Sequence, residues 1–262
     1  MFAYVKYAHF DWPGLQRLHA SRLDTGIFLA QMQGLSKARQ TRIRTPTCLI
    51  FSERHLMSIK FEIQPLFATP YMRADVGHAI SAEQVKFIQN LPMVQNRANM
   101  ISEDLYIFNR PELKSIADAV QNALNIYARD VMGISQTIYV TQSWALLNQP
   151  GVGMHSHAHS NSLISGSLYY CDLPEPVSRV VFDKHTAYQQ LEIRPDNDRR
   201  NLYNTAVNVV TPKQGEVLLF PSSINHMIEN NGSQDLRRAI AFNTFIKGKF
   251  GDYRDVSELH LA

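Results

Sequence analysis

The chain has 262 residues, of which 45% are hydrophobic and 19% charged, a composition that excludes a disordered chain and suits a single β-barrel or sandwich domain of upper-range size. The formal net charge of +3 is unevenly spread: residues 1–56 carry a balance of +5 and residues 57–262 one of −2, so charge gives the main body no nucleic-acid surface. Two cysteines, Cys48 and Cys171, make no disulfide framework and point to a reducing compartment, and no run of 18 apolar residues exists to span a membrane.

Residues 1–56 read as an N-terminal extension, poorly ordered or not native to the product. "GLQRLHASRLDTGIFLAQMQGL" has weak helical periodicity, and "SKARQTRIRTPT" reads as a basic, solvated stretch. The Arg-rich, acid-poor balance faintly matches a transit peptide, whereas "MSIKFEIQPLFATPYM" reads as the first strand of a domain over 57–262 and makes Met57 a natural start. No apolar signal stretch is seen at the N-terminus, so a cytoplasmic location is expected.

From Met57 the pattern sharpens. Pro65 and Pro70 confine the first strand to an edge or break it. Ser81 followed by Gln84 is a capping box, which starts a short helix in "SAEQVKFIQNL". A long helix is predicted over 111–132. Pro111 suits its first turn, Leu113, Ile116, Ala117, Val120, Leu124, Tyr127 and Val131 share its apolar face, and Gly133 can end it. After Gly133 the period changes to that of strands: "TIYVTQSWALLN", "LISGSLYYC", "SRVVFD", "TAVNVVT", "GEVLLFP", "INHMIEN" and "RRAIAFNTFI". Helices first and about seven strands afterwards predict a mostly β, α+β chain, with helices packed on one side of a β-sandwich or barrel.

Within this β region, "GVGMHSHAHSNSLISGSLYY" places His155, His157 and His159 at alternate positions. Alternate residues of a strand share a face, so His157 and His159 can present two imidazoles on one side. Neutral imidazole is a common metal ligand, but two neighbours need a third group from elsewhere. His226, in "FPSSINHMIENN", is the best candidate. A solvated row or a structural, hydrogen-bonded histidine explains the same spacing without a metal. His9, His19, His55, His78 and His260 read as surface residues, and His185 as a loop residue.

Four ordered blocks carry a resemblance: "TQSWALLNQPGVGMHSHAHSNSLISGSLYY", "VTPKQGEVLLFPSSINHMIENN" and "RRAIAFN" contain Ser-Trp with Asn and Pro-Gly, His-x-His-x-x-Ser-x-x-Ser-Gly with Tyr, Gly-Glu to Phe-Pro with His, and Arg leading to Phe-Asn. Over 141–243 the chain resembles the Fe(II)- and 2-oxoglutarate-dependent oxygenase family of bacteria and tailed phages, which is prolyl 4-hydroxylase-like. The resemblance implies a double-stranded β-helix, or jelly roll, supported by the N-terminal helices. It implies Fe(II) as metal, 2-oxoglutarate as a small-molecule cosubstrate with dioxygen, and hydroxylation of an unidentified substrate, such as a protein side chain, with succinate and CO2 as co-products. Carried over, the metal-binding and catalytic residues are His157, His159 and His226, and the cosubstrate residues are Arg237 and Tyr169.

Period 2 agrees with Arg237 over Arg238, because Arg237, Ala239, Ala241 and Asn243 share one face. The guanidinium would clamp the far carboxylate of 2-oxoglutarate with two charge-assisted hydrogen bonds. Two departures stand out. His159 occupies the position where most such oxygenases carry Asp, so either His159 or an outside carboxylate such as Asp183 completes the metal set. Ala239 replaces the Ser or Thr that often follows the Arg, a gap that Tyr169 could fill. Trp144 and Phe220 read as core, and Asn148 and Asn243 as buried amides that orient site groups. The alternatives are a three-His zinc hydrolase or lyase, and a non-catalytic jelly-roll phage structural or binding protein.

Overall fold

The computed structural model describes residues 62–184 and 195–262. The expectations for residues 1–56, with Cys48, His9, His19 and His55, and the one for His185 lie outside the described residues. Among those described, no helix is long and apolar enough to cross a membrane.

The first strand is shorter and later than its sequence suggests. Residues 62–71 form no strand, and β1 is Met72–Asp75. Pro65 and Pro70 remove two donors from the stretch in which a ladder was expected, so pairing starts only beyond them. Helix α1, Ala82–Gln89, opens with both bonds of the capping box: Gln84 N donates to Ser81 Oγ (3.3 Å), and Ser81 N donates to Gln84 Oε1 (2.9 Å). A 3-10 turn, Pro111–Leu113, leads into α2, Lys114–Ile126. A π-helical turn follows at Tyr127–Met132, and Gly133 ends it in the left-handed region at φ 67°. Leu113, Ile116, Val120, Leu124 and Tyr127 are buried as their spacing predicts, but Val131 is 39% exposed. The wider π turn rotates Val131 out and brings Met132 against the core instead.

The strands that follow build the roll: β4 (Thr137–Asn148), β5 (Met154–His157), β6 (Ile164–Leu168), β7 (Val180–Asp183), β8 (Val207–Val210), β9 (Glu216–Pro221), β10 (Asn225–Ile228) and β11 (Arg237–Phe250). Short strands β2 (Met93–Gln95) and β3 (Met100–Ser102) precede them, and β12 (Leu259–Leu261) pairs with the end of β11. One sheet has the order β1-β9-β6-β11-β4-β3-β2 and the other β5-β10-β7-β8, with every pair antiparallel. From β4 to β11 the chain changes sheet at each connection except β7 to β8, which is the winding of a double-stranded β-helix. Strands β2, β3, β5 and β12, each three or four residues long, were not among the strands read from the sequence, and β5 is itself part of the histidine row.

Two apolar layers flank the large sheet. On its outer face, Ile116, Val120 and Leu124 of α2 pack with Ile164, Leu168, Val217, Leu219, Ile240 and Phe242. On its inner face, Leu218, Phe220, Tyr169 and Ala239 meet Val180, Phe182 and Val210 of the small sheet. The run "VLLF" of β9 shows no polar alternation because both faces of its sheet are covered.

Gly166 lies opposite Phe242 on the helix side, and a Cβ there would stand 2.1 Å from the ring's Cζ. The ring occupies the space that any larger residue would need. Gly166→Ala should therefore lower stability by about 1–3 kcal/mol through overpacking, read as a fall in the urea midpoint. An unchanged midpoint would mean that the Phe242 ring can move aside.

Candidate active site

Three imidazoles converge at the open end of the inner layer. His157 closes β5 and His226 lies on β10, and the two are direct cross-strand partners with ring centroids 4.5 Å apart. His159 is not on the strand, as its alternation with His157 suggested, because β5 stops at His157. Its backbone N–H donates instead to the carbonyl of Ser222 (2.9 Å), which swings the ring back toward His226. His159 Nε2 and His226 Nε2 are 3.4 Å apart, and nitrogens of all three rings lie within 4.8 Å of one another.

Two of the rings are oriented by carbonyls. His157 Nδ1 donates to the carbonyl of His155 (2.8 Å), and His226 Nδ1 donates to that of Ile224 (3.1 Å). A carbonyl can only accept, so both Nδ1 atoms carry hydrogen and each Nε2 keeps its lone pair for the shared centre. The role of His155 is thus to hold its neighbour by its backbone, while its own exposed ring lies 5.2 Å from that of His157. Phe220 packs edge-on to His226 at 4.7 Å, and Phe182 lies 6.2 Å from it. Trp144 is half-buried with its ring 6.4 Å from His159, so it borders the site rather than filling the core.

Burial keeps His159 and His226 neutral. It pulls His159 from 6.5 to about 4, helped by the neighbouring His157. It does the same to His226, also to about 4, against the opposing bond to Ile224 and with help from His157 and His159. Neutral imidazole is the form that binds metal. Among the described residues no carboxylate joins the cluster. Asp183 faces away, since its neighbour Phe182 points inward and Asp183 itself pairs with Asn225.

The loops that carry the rings are fastened by polar groups. Ser222 Oγ donates to Ser162 Oγ (2.7 Å) and lies 2.8 Å from Ser165 Oγ, which donates to Asn243 Oδ1 (3.0 Å). The two serines of the His-x-His-x-x-Ser-x-x-Ser-Gly block therefore tie the segment after His159 to the one before His226. Asn148, buried, donates to the carbonyls of Val152 and Gly153 (both 3.3 Å), and so shapes the turn that feeds β5. Asn231 completes that clasp by donating to the carbonyls of Asn148 (3.2 Å) and Asp235 (2.7 Å). Ser222 and Asn231 escaped sequence reasoning. The doubled "SS" and "NN" around His226 are their only trace.

Arg237 and Tyr169 occupy the inner layer. Arg237 is 2% exposed, Tyr169 fully buried, and the guanidinium carbon lies 5.5 Å from the tyrosine ring centre. Arg237 Nε and Tyr169 Oη have no hydrogen-bond partner among the described residues. Burial pushes the Tyr169 hydroxyl up against the opposing charge of Arg237, so it stays protonated as a donor. Arg238 faces the other side of the sheet, where it lines a cavity of about 1080 Å³ with Tyr170, Cys171 and Val85. None of the three clustered histidines lines that cavity.

In metal-free protein, His159 and His226 set a pH limit. Their folded values lie below the unfolded one, so their contribution is complete above about 6.5 and is lost as pH falls toward about 4. Thermal midpoints in chelator should drop across that window, and His226→Gln should flatten the drop. A parallel curve for the variant would remove His226 as a source.

Residues 142–243 match a family model described as "Putative 2OG-Fe(II) oxygenase". None of the curated proteins matches the sequence. Among solved structures, a 2OG-Fe(II) oxygenase family oxidoreductase from Burkholderia pseudomallei is similar at 12% identity, covering 66% of this chain and 83% of that one, with a TM-score of 0.46. A prolyl-4-hydroxylase from Pseudomonas putida is similar at 10% identity over 69% and 94%, with a TM-score of 0.46. HygX from Streptomyces hygroscopicus, solved with nickel, 2-oxoglutarate and hygromycin B, is similar at 12% identity over 67% and 82%, with a TM-score of 0.46. The residues matched by that family model, 142–243, include the three histidines and Arg237.

Proposed function

We propose that His157, His159 and His226 hold the iron of this Fe(II)- and 2-oxoglutarate-dependent oxygenase, and that Arg237 and Tyr169 hold its cosubstrate. The observation that carries this reading is the pair of orphaned buried groups, Arg237 Nε and Tyr169 Oη, in the same inner layer as Phe220, which packs on His226. A buried guanidinium without an acid partner is costly unless an anion meets it. The far carboxylate of 2-oxoglutarate would supply that anion, held by the Arg237 guanidinium and the Tyr169 hydroxyl. Tyr169 thereby replaces the hydroxyl that Ala239 lacks. The three Nε2 atoms, two of them freed by Nδ1 bonds to carbonyls, suit a divalent cation. When bound, the iron and its cosubstrate supply oxidative decarboxylation to succinate and CO2 and the oxidising power that hydroxylates a C–H bond. The apolar wall of Phe182 and Phe220 excludes water from that side of the centre.

A zinc hydrolase built on three histidines has no use for a buried, unpaired guanidinium, which favours the oxygenase. The substrate is unidentified, and a protein side chain is the class proposed for it. The compartment is reducing, the cytoplasm of a bacterium or of a phage-infected host, in keeping with Cys171 as a buried free thiol.

Anaerobic titration with Fe(II) and then 2-oxoglutarate should give a visible metal-to-ligand charge-transfer band, followed by succinate release in air. Arg237→Lys should weaken 2-oxoglutarate by about 10- to 100-fold, the worth of a lost charge-assisted pair, with iron affinity unchanged. Wild-type cosubstrate affinity in Arg237→Lys would overturn the assignment.

A further inference from the structure

We propose, on the basis of the functional reading above, that this site recruits a monoanionic group next to its metal, either a carboxylate of the substrate or a free inorganic anion. The inference follows from the charges that face the centre. The donor set is three imidazoles, a ligand type that adds no negative charge to a cation, with no carboxylate among the described residues. His159 stands where an aspartate would have cancelled one charge of the cation. The nearby acids are engaged elsewhere or turned away. Glu216 holds Arg73 at 2.7 Å on the β1–β9 edge, and Asp183 lies on the outer face of the small sheet beside Asn225. Arg237 adds a further positive charge with no acid partner among the described residues. Seating 2-oxoglutarate cancels the guanidinium and one charge of the divalent metal. One positive charge is left in an inner layer walled by Phe182, Phe220 and Trp144. Apolar walls screen poorly, so that charge attracts an anion more strongly than it would in water.

The Ser222 carbonyl fixes this property in the fold. It hangs His159 by its backbone, so the position is held whatever side chain it carries. An aspartate there would occupy the same place with a charge of its own.

The test uses the full chain loaded with Co(II) and 2-oxoglutarate, with azide as the probe and the cobalt visible spectrum as readout. Azide should bind the parent at least about tenfold more tightly than His159→Asp, the effect of one uncancelled charge at short range. His159→Glu serves as a second carboxylate variant should His159→Asp fail to fold. Displacement of azide by acetate would identify a carboxylate as the natural occupant, and displacement by chloride alone a free halide. Equal azide affinity in the parent and in a folded carboxylate variant, or no azide binding by the parent, would overturn the inference. A parent that takes up no stoichiometric cobalt, or no 2-oxoglutarate, would instead sink the functional reading on which it rests.

Discussion

The pairing of β10 with β5 is the constraint on which the site depends. His226 and His157 are separated by 69 residues of chain, yet they face each other across one antiparallel ladder. In a strand, a register slip of one residue turns every side chain to the opposite face. Such a slip would send His157 to the solvent face and leave His226 without its partner. The ladder alone does not fix the register, because β5 has only four residues and its pairing with β10 is interrupted by an irregularity between His226 and Ile228. The clasp of Asn148 and Asn231 does more. By holding the carbonyls of Val152, Gly153, Asn148 and Asp235, it sets where β5 begins relative to β10. Gly153 belongs to the same device, since a Cβ there would stand 2.6 Å from the Ile228 carbonyl oxygen.

The two walls of the roll differ in rigidity, and the site's parts are divided between them. The large sheet is covered on both faces, by α2 outside and by the small sheet inside. Tyr169 and Arg237 sit on that wall, where side chains are locked by packing. Among the described residues, the small sheet has one covered face. Val207 and Val209 of β8 are 45% and 43% exposed on its outer side. His157 and His226 therefore sit on the thinner wall, and His159 bridges back to the thicker one through Ser222, Ser162 and Ser165. The serine cluster is what makes the three rings one site rather than two.

How much of this was legible follows from how each signal is generated. Strands β4, β9 and β11 were readable because their apolar runs are long and bounded by turn residues, and the choice of Arg237 over Arg238 needed only period 2. The capping box gave α1 its start, since its two bonds are local. The failures are non-local. The π turn that exposes Val131 leaves no local trace in a sequence that keeps α-helical spacing. The late start of β1 is the exception, since Pro65 and Pro70 mark it locally. Strand β5 is too short for periodicity to register, and the convergence of His159 depends on one backbone bond to Ser222. The resemblance named the three histidines that converge, because it encodes non-local pairing that composition and spacing do not. It could not supply Asn231 or Ser222, whose role is to hold backbone carbonyls and neighbouring hydroxyls.

The division between walls also bears on what metal binding does to the protein. A ligand that binds only the folded state stabilises it in proportion to its affinity. Here two of the three candidate donors belong to the small sheet, and the third hangs from the end of β9 in the large one. A cation shared among them would join the sheets at the open end of the roll, where the inner apolar layer gives way to polar groups. Binding energy would thus be spent where packing is thinnest, and stability and site geometry would rise together on loading. The same reasoning explains why neutral, buried rings are the suitable donors. Protonation of both His159 and His226 would place two positive charges 3.4 Å apart at the seam between the sheets, and would oppose both the metal and the closure of the roll.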